Sequence, residues 1–286
     1  MKYRLRRQKA MERRIANIGA ALCASAALLP TCAVAESPDS WQLSDSWRFG
    51  ATFYAYLPTV GLKATLPNGA TSDVSIGINT IIDHLKMGFF GAAEAQKGRW
   101  GAFTDVLYMD VGAARSKTRS FQFGQGPLPA DVNASTTIDL KATIWTLAGS
   151  YRWVADPNWT FDVLAGARLL DVDYSQNFQL TGNVGPIPLP GRSGSARIHV
   201  SDWDGIIGVK GRVALSADRA WYVPYYLDVG RGESKLTWQI MGGVGYAFNW
   251  GDVVATWRYL DYRNDSDKPL QNLYTNGPQI SFVWRW

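Results

Sequence analysis

Cysteine and histidine are scarce in this chain. Both cysteines, Cys23 and Cys32, fall within the first 35 of its 286 residues, so the rest of the chain has no disulfide, no thiolate metal site and no cysteine nucleophile. The only histidines are His84 and His199, and neither stands in the spacing of a metal site. With no glycine-rich phosphate loop either, the sequence predicts neither a metal nor a cofactor.

Beyond the N-terminal 35 residues, the chain also lacks an excess of positive charge. The chain carries 29 basic and 24 acidic residues, but residues 1–35 hold seven of the basic and one of the acidic ones, which leaves a net charge of −1 on the remainder. A nucleic-acid-binding protein needs a basic surface, so we expect no nucleic acid among the partners.

The first 35 residues have the pattern of an export signal. A basic stretch is followed by an apolar run over 15–29, and Ala33-Val34-Ala35 supplies the small residues that signal peptidase requires. We expect a signal peptide over 1–35, cleaved between Ala35 and Glu36, and a single domain over 36–286. An N-terminal membrane anchor is the alternative, although the apolar run is short for a span.

Long hydrophobic runs are absent from the remainder, where no stretch of twenty residues is free of charge. A membrane-spanning helix needs such a stretch. Apolar residues instead alternate with polar or small ones, most clearly at the C-terminus, where Ile280, Phe282, Trp284 and Trp286 share one face and Gln279, Ser281, Val283 and Arg285 share the other. Long strands with one bulky apolar face are typical of transmembrane β-barrels, whereas strands of soluble sandwiches are shorter.

Turn positions predict the topology. Short polar turns near 97–98, 155–158, 216–219 and 249–252 alternate with longer links over 58–86, 112–133, 175–197, 231–234 and 264–276. Outer-membrane barrels have short periplasmic turns and long outer loops. Four hairpins, with a strand at 46–57 and another at 277–286, predict an all-β, up-and-down antiparallel transmembrane β-barrel of ten strands with both termini in the periplasm.

The first long link leaves alternatives open. Residues 61–66 and 71–76 could form a further hairpin and raise the count to twelve strands, and eight strands is the other alternative. Apolar spacing over 78–85 predicts a short amphipathic helix in this extracellular loop. We expect Asn79 to cap it and His84 to face solvent or contact the helix.

Tryptophan placement supports a membrane-spanning barrel independently. Seven tryptophans lie close to a predicted turn or terminus: Trp47, Trp100, Trp153, Trp159, Trp221, Trp250 and Trp286. Three more lie about 9–13 positions from the nearest turn, the distance a tilted strand needs to cross the hydrocarbon: Trp145, Trp203 and Trp238. Two belts a bilayer apart are the arrangement of interfacial anchors.

Several segments resemble known outer-membrane proteins. The closing strand, through Ile280, Phe282, Trp284 and Trp286, is similar to the sorting signal read by the barrel-assembly machinery of Gram-negative bacteria, with Trp286 where Phe is more common. Segments 81–86, 97–101, 166–171, 237–239 and 257–261 resemble a widespread, uncharacterised family of proteobacterial outer-membrane β-barrel proteins of the porin-like or opacity type. The resemblance covers most of the mature chain and implies a barrel, an outer-membrane location and that machinery as a partner, but no activity.

On each strand, the positions that alternate with the outward apolar residues are expected to face the lumen. The charged residues at these positions are Arg48, Glu94, Asp105, Asp162, Arg168, Asp202, Asp204, Lys210, Arg212, Asp228 and Arg258. A ten-stranded barrel is only slightly wider than an eight-stranded one, whose side chains fill it. Because isolated buried charges are costly, we expect these residues to form a pairing network that fills the bore. A narrow pore of mixed charge is the alternative.

Two further sets of residues are candidate sites. Aspartates recur near the outer strand ends (Asp110, Asp171, Asp173, Asp228 and Asp261) and could bind calcium or bridge lipopolysaccharide cations, although solvated carboxylates are favoured. His199 lies near Asp202 and Asp204, but the motifs of ten-stranded membrane proteases and of the outer-membrane phospholipase are absent. We therefore expect no enzyme.

The sequence predicts a monomeric, non-enzymatic outer-membrane barrel with a structural or narrow-pore role. Its expected partners are outer-membrane lipid and lipopolysaccharide. A barrel that binds a ligand or host surface through its long loops is the first alternative, and an outer-membrane hydrolase of lipid or peptide is the second.

Overall fold

The computed structural model describes residues 43–65, 69, 71–122, 129–184 and 187–286, with the side chains of 113–134 and 183–189 outside this description. The predicted signal peptide and the bond between Ala35 and Glu36 also lie outside the described residues. The strands are β1 (Arg48–Tyr56), β2 (Thr59–Thr65), β3 (Thr71–Ile76), β4 (Leu85–Lys97), β5 (Trp100–Gln122), β6 (Pro129–Ala155), β7 (Trp159–Val184), β8 (Ile187–Ala214), β9 (Trp221–Gly232), β10 (Leu236–Phe248), β11 (Gly251–Arg263) and β12 (Leu270–Arg285), and the helix is α1 (Ile78–His84).

Ten of these strands form a closed antiparallel ring. The order is β1-β4-β5-β6-β7-β8-β9-β10-β11-β12, and β12 pairs back onto β1. The closing seam runs from Gly50 opposite Arg285 to Tyr56 opposite Gln279. The ring confirms the predicted ten-stranded barrel, and the four short turns lie where the sequence places them. At the first of them, Gly98 takes a positive φ of 56°, which glycine adopts without strain.

The further hairpin in the first link exists, but it does not enter the ring. β2 pairs with β3 and with the outer part of β12, so the alternatives of twelve and eight strands are wrong. Gly61 on β2 lies opposite Tyr274 on β12, and a Cβ at Gly61 would come within 2.0 Å of the Tyr274 ring. The absence of a side chain at Gly61 is what lets this aromatic ring cover the hairpin.

The short helix forms as predicted, but its cap differs. The residue before the helix is Gly77, in extended conformation and without a side-chain cap, so the expectation of Asn79 as the cap is wrong. Asn79 already lies inside the first turn, where its side chain cannot take the capping position. Ile81 is buried, while His84 is exposed and its Nδ1 lies 3.0 Å from the carbonyl oxygen of Thr80.

Four strands are much longer than a membrane crossing. β5 to β8 have 23 to 28 residues each, so the links expected over 112–133 and 175–197 are mostly strand. The expectation was wrong because Gly and Pro, which favour loops, also occur within these strands. Pro188 and Pro190 are tolerated because β9 pairs with β8 only from Asp204 onward, which leaves this part of β8 as an edge, where proline costs no ladder bond.

The two faces of the ring differ as alternation requires. Outward positions keep large apolar side chains exposed, among them Ile207, Phe282 and Trp286. The tryptophans near the short turns are exposed. In the aromatic belt nearer the long loops, the rings of Trp145 and Trp203 pack together with their centroids 6.0 Å apart. No helix within the described residues is long and apolar enough to cross a membrane.

The interior near the long loops, hereafter the loop half, is filled by apolar side chains. The segment β2-β3-α1, hereafter the plug (59–84), contributes buried Val60, Leu62, Ile76 and Ile81. They belong to one cluster with inward residues of the ring, including Leu107, Met109, Leu140, Ile144, Leu170, Val172 and Leu260. The first long link therefore folds back onto the wall instead of remaining an open loop.

Candidate functional site: the barrel interior

All eleven residues expected in the lumen have side chains that are buried or line an internal cavity. Arg48, Glu94, Asp105, Asp162, Lys210, Arg212 and Arg258 line the cavity. Arg168, Asp202, Asp204 and Asp228 are buried. They share one face because residues two apart on a strand point the same way. They do not form a single network: Arg168 with Asp228, Arg258 with Asp105, and Asp202 with Asp204 make three separate groups, while Glu94, Asp162 and Lys210 belong to further ion pairs at the short-turn end.

The first group lies near mid-barrel around Arg168, whose side chain is fully buried. Its guanidinium binds Asp228 through both Nη atoms, with Nη1 2.9 Å from Oδ1, and its Nε donates to the hydroxyl of Thr146 at 3.1 Å. Both side chains of the ion pair have zero exposure. A bidentate, fully hydrogen-bonded pair is the form in which buried charges persist.

The second group, closer to the short turns, is centred on Arg258. Its Nη2 donates to Asp105 at 2.6 Å and to Gln239 at 2.9 Å, and its Nη1 donates to the hydroxyl of Tyr54 at 3.2 Å. Tyr54 in turn donates to Asp105 at 2.6 Å. The guanidinium lies about 6 Å from the rings of Tyr54 and Tyr56. Four strands, β1, β5, β10 and β11, are thereby joined across the bore.

Three more ion pairs lie at the short-turn end. Lys210 binds Glu94 at 2.7 Å, Arg152 binds Asp162 at 2.8 Å, and Arg285 binds Asp252 at 2.6 Å. Sequence reasoning omitted Arg152, Asp252 and Arg285 from the lumen set. The spacing in the sequence could have revealed the pair of Arg152 and Asp162. Both residues are equally far from the centre of the turn at 156–158, so they face each other across the hairpin.

These three pairs and the Arg258 group surround a cavity of about 300 Å³ in the half of the barrel next to the short turns, hereafter the short-turn cavity. Its wall combines charged side chains with apolar ones such as Phe103, Met241 and Val254. It is partly open to solvent, and its lining extends to Arg48, Gln96 and Arg285, which lie beside a short turn or the last strand end. Toward the loop half it ends at the Arg258 and Arg168 groups.

The third group consists of Asp202 and Asp204, which lie at the loop half and fasten loops instead of joining the other lumen charges. Asp204 accepts hydrogen bonds from the amide and hydroxyl of Ser234 at 2.9 and 2.7 Å. Asp202 accepts from Asn264 at 3.1 Å and lies 3.4 Å from the Nζ of Lys268. These aspartates tie the β9–β10 and β11–β12 connections to β8.

The outer aspartates and His199 are dispersed. Asp228 and Asp261 are buried, whereas Asp171 and Asp173 stay partly exposed beside His199, whose Nδ1 is 3.4 Å from Asp173. A hydrogen bond from Arg197 lowers the pKa of Asp173. Strand alternation puts the exposed His199 on the face opposite buried Asp202 and Asp204. In the part of the chain that is described, no three His, Cys, Asp or Glu residues are placed to hold a metal ion.

Comparison with known proteins finds no matching family profile and no matching curated protein. Solved outer-membrane barrels are similar in fold. Ail of Yersinia pestis is 8% identical with a TM-score of 0.29, over 85% of this chain and 99% of that one. A FadL homologue of Pseudomonas aeruginosa is 8% identical with a TM-score of 0.31, over 87% and 92%. The translocator domain of the Neisseria meningitidis autotransporter NalP is 12% identical with a TM-score of 0.31, over 84% and 88%. Likenesses this weak say nothing about what this chain binds or transports.

Proposed function

We propose that this chain is an outer-membrane β-barrel with its short turns and both chain ends in the periplasm, and that it is closed as folded instead of forming an open narrow pore. The membrane location is supported by the exposed apolar outer face and by the two aromatic levels. The orientation is supported by the contrast between short turns and the long strands β5 to β8. Outer-membrane lipid and lipopolysaccharide are then its surroundings.

The closed state is inferred from the apolar side chains that fill the interior of the loop half. The plug places Val60, Leu62, Ile76 and Ile81, each at most 4% exposed, against the inward side of the ring. Below it, Arg168 and Asp228 have no exposure at all. A hydrated ion has no path through an apolar core without losing its water, so the role of the barrel is structural in this state.

Planar-bilayer recording tests the closed state. We expect purified wild-type protein to give no conductance steps, whereas a variant with residues 59–84 replaced by a short Gly-Ser linker gives steps, because it loses the apolar seal while β1 and β4 remain neighbours in the ring. Heat-modifiable migration on gels verifies that both proteins are folded. Regular steps from the wild type would refute the closed state.

A second candidate function is surface binding, and it is favoured by the length of β5 to β8. From Trp145 at the loop-side aromatic level, β6 continues outward to Pro129, roughly 50 Å along the strand. A four-stranded projection of this size presents surface well beyond the membrane. We do not propose a hydrolase, because His199 is exposed, its aspartate neighbours Asp171 and Asp173 are partly exposed, and none of the three lines the short-turn cavity.

A further inference from the structure

We propose that the short-turn cavity binds a small neutral molecule that carries a hydroxyl group on a compact ring, and that this ligand enters from the end of the barrel that holds the short turns. At about 300 Å³ the cavity has the size of small-molecule sites. This inference goes beyond the closed barrel, because a binding site that opens at one end needs no passage through the membrane.

Three buried residues of the cavity wall each carry a polar atom that forms no hydrogen bond with any residue that the structure describes. The atoms are the hydroxyl oxygen of Thr256, the Oε1 of Gln279 and the Nε of Arg258, and the residues are 8%, 6% and 2% exposed. Thr256 lies directly opposite Gln279 on β11 and β12, and Arg258 follows two positions along β11 on the same face. Buried polar atoms are normally paired, so this part of the wall has the character of a binding site.

The hydrogen-bonding roles of these atoms select the group that the ligand must carry. The Nε2 of Gln279 already donates to the hydroxyl of Ser281 at 2.9 Å, and the remaining Oε1 only accepts. The Nε of Arg258 only donates, whereas the hydroxyl of Thr256 does either. A carboxylate only accepts and an ammonium only donates, so neither satisfies both Gln279 and Arg258. A hydroxyl both donates and accepts, as this set of atoms requires.

The charged side chains of the wall also favour a neutral ligand, because they already have partners. Each of the three acids forms an ion pair, Glu94 with Lys210, Asp105 with Arg258 and Asp162 with Arg152. Arg285 is paired with Asp252, and Arg48 and Arg212 also interact with other residues. An ion that entered would lose its water without gaining a free counter-charge, a cost that a neutral molecule does not meet.

The apolar part of the wall suits the ring of such a ligand. Phe103, Pro224, Met241 and Val254 also line the cavity. Entry from the lipid is blocked because every strand of the ring is paired with both neighbours. The ligand is therefore a water-soluble molecule and not an acyl chain of the bilayer.

The test uses three probes that share one ring and differ in the polar group: 4-fluorobenzyl alcohol, 4-fluorobenzoate and 4-fluorobenzylamine, which is a cation at neutral pH. Binding is observed by fluorine NMR with the folded full-length barrel in a neutral detergent, against a blank of detergent alone. Thr256→Val and Gln279→Leu each remove one of the polar atoms at nearly constant volume, and Met241→Trp fills the cavity. Thr143→Val makes the first change on the outward face, which Thr143 shares with Trp145 and Leu147, and serves as the matched control. Heat-modifiable migration verifies that every variant is folded.

We expect wild type and Thr143→Val to bind 4-fluorobenzyl alcohol saturably, and at least about tenfold more tightly than either ion. Thr256→Val and Gln279→Leu should each weaken binding of the alcohol about three- to tenfold, the range for one neutral hydrogen bond, and Met241→Trp should abolish it. Absence of saturable binding at millimolar concentration would mean that water alone fills the cavity. That result, an ion that binds as tightly as the alcohol, or unchanged affinity in Thr256→Val or in Gln279→Leu would overturn the proposal. The readout is independent of conductance, so the closed state and the binding site stand or fall separately.

Discussion

At the scale of single residues, Arg168 shows how a fully buried charge is held in the interior. Arg168 lies where water cannot reach it, and its side chain is held by Asp228 and by the hydroxyls of Thr146 and Thr237. An ion pair of this kind contributes little net stability compared with apolar residues of the same shape, but loss of one partner leaves the other charge buried and unpaired. The exposed pair of Arg197 and Asp173 has no such dependence.

Arg168→Ala should therefore lower the free energy of unfolding by about 3–5 kcal/mol. The double variant Arg168→Met/Asp228→Leu should recover most of this loss, because no charge is left in the bore. Arg197→Ala, the matched surface control, should cost at most about 1 kcal/mol. Urea unfolding in detergent, followed by tryptophan fluorescence, measures all three, and a double variant as unstable as the single one would contradict the argument.

At the scale of elements, the outer parts of β5 to β8 form a unit that the ring does not need. They pair only with one another, from Arg115 opposite Thr136 on one hairpin to Phe178 opposite Gly194 on the other. The described side chains of 135–136, 178–182 and 190–194 belong neither to the hydrophobic cluster that contains the plug nor to the lining of the short-turn cavity. The projection therefore has the structure of a surface appendage and not of a part of the wall.

Removal of residues 115–136 and 178–194, with a two-residue turn at each cut, should leave the barrel folded. The four strands still exceed the roughly 9–11 residues of a membrane crossing, so heat-modifiable migration should be retained. If surface binding is the function, adhesion of cells that display the shortened barrel should be lost. A shortened protein that fails to fold would show that the projection supports the ring, and unchanged adhesion would exclude it as the binding surface.

The same elements show what the sequence could and could not predict. Alternation and turn spacing sufficed for ten ring strands and for the inward position of residues such as Arg168 and Arg258, because strand side chains have a period of two. The alternation of inward and outward side chains says nothing about position along the barrel axis. It therefore could not distinguish Asp204, which holds a loop, from Arg258, whose side chain crosses the bore. The inward fold of 59–84 depends on contacts with β12 and the opposite wall that no local pattern contains.

At the scale of the whole molecule, closure depends on the last strand. β12 pairs with β1 and β11 in the ring and with β2 of the plug, and its outward residues Ile280, Phe282, Trp284 and Trp286 are about half exposed. We propose that these four residues are also the assembly signal. Trp286 further exchanges two backbone hydrogen bonds with Phe49 at the seam, at 2.8 and 3.0 Å.

Deletion of Trp286 should leave unfolded protein in the periplasm and remove the heat-modifiable band from outer-membrane fractions. Trp286→Phe keeps the aromatic ring and the backbone bonds, so it should assemble at the wild-type level. Membrane fractions compared on unheated gels measure both, and normal assembly of the deletion variant would disprove the role of the terminal aromatic residue.

The seam between β1 and β12 also has a kinetic consequence. It joins Gly50 to Arg285, so the contacts that close the ring have the greatest sequence separation in the fold, and loop-closure entropy opposes them until the intervening strands are in place. Until then, β1 and β12 are open edges able to pair with another chain. Closure is therefore expected to be the slow step of folding, and the interval before it is when the chain is most exposed to aggregation.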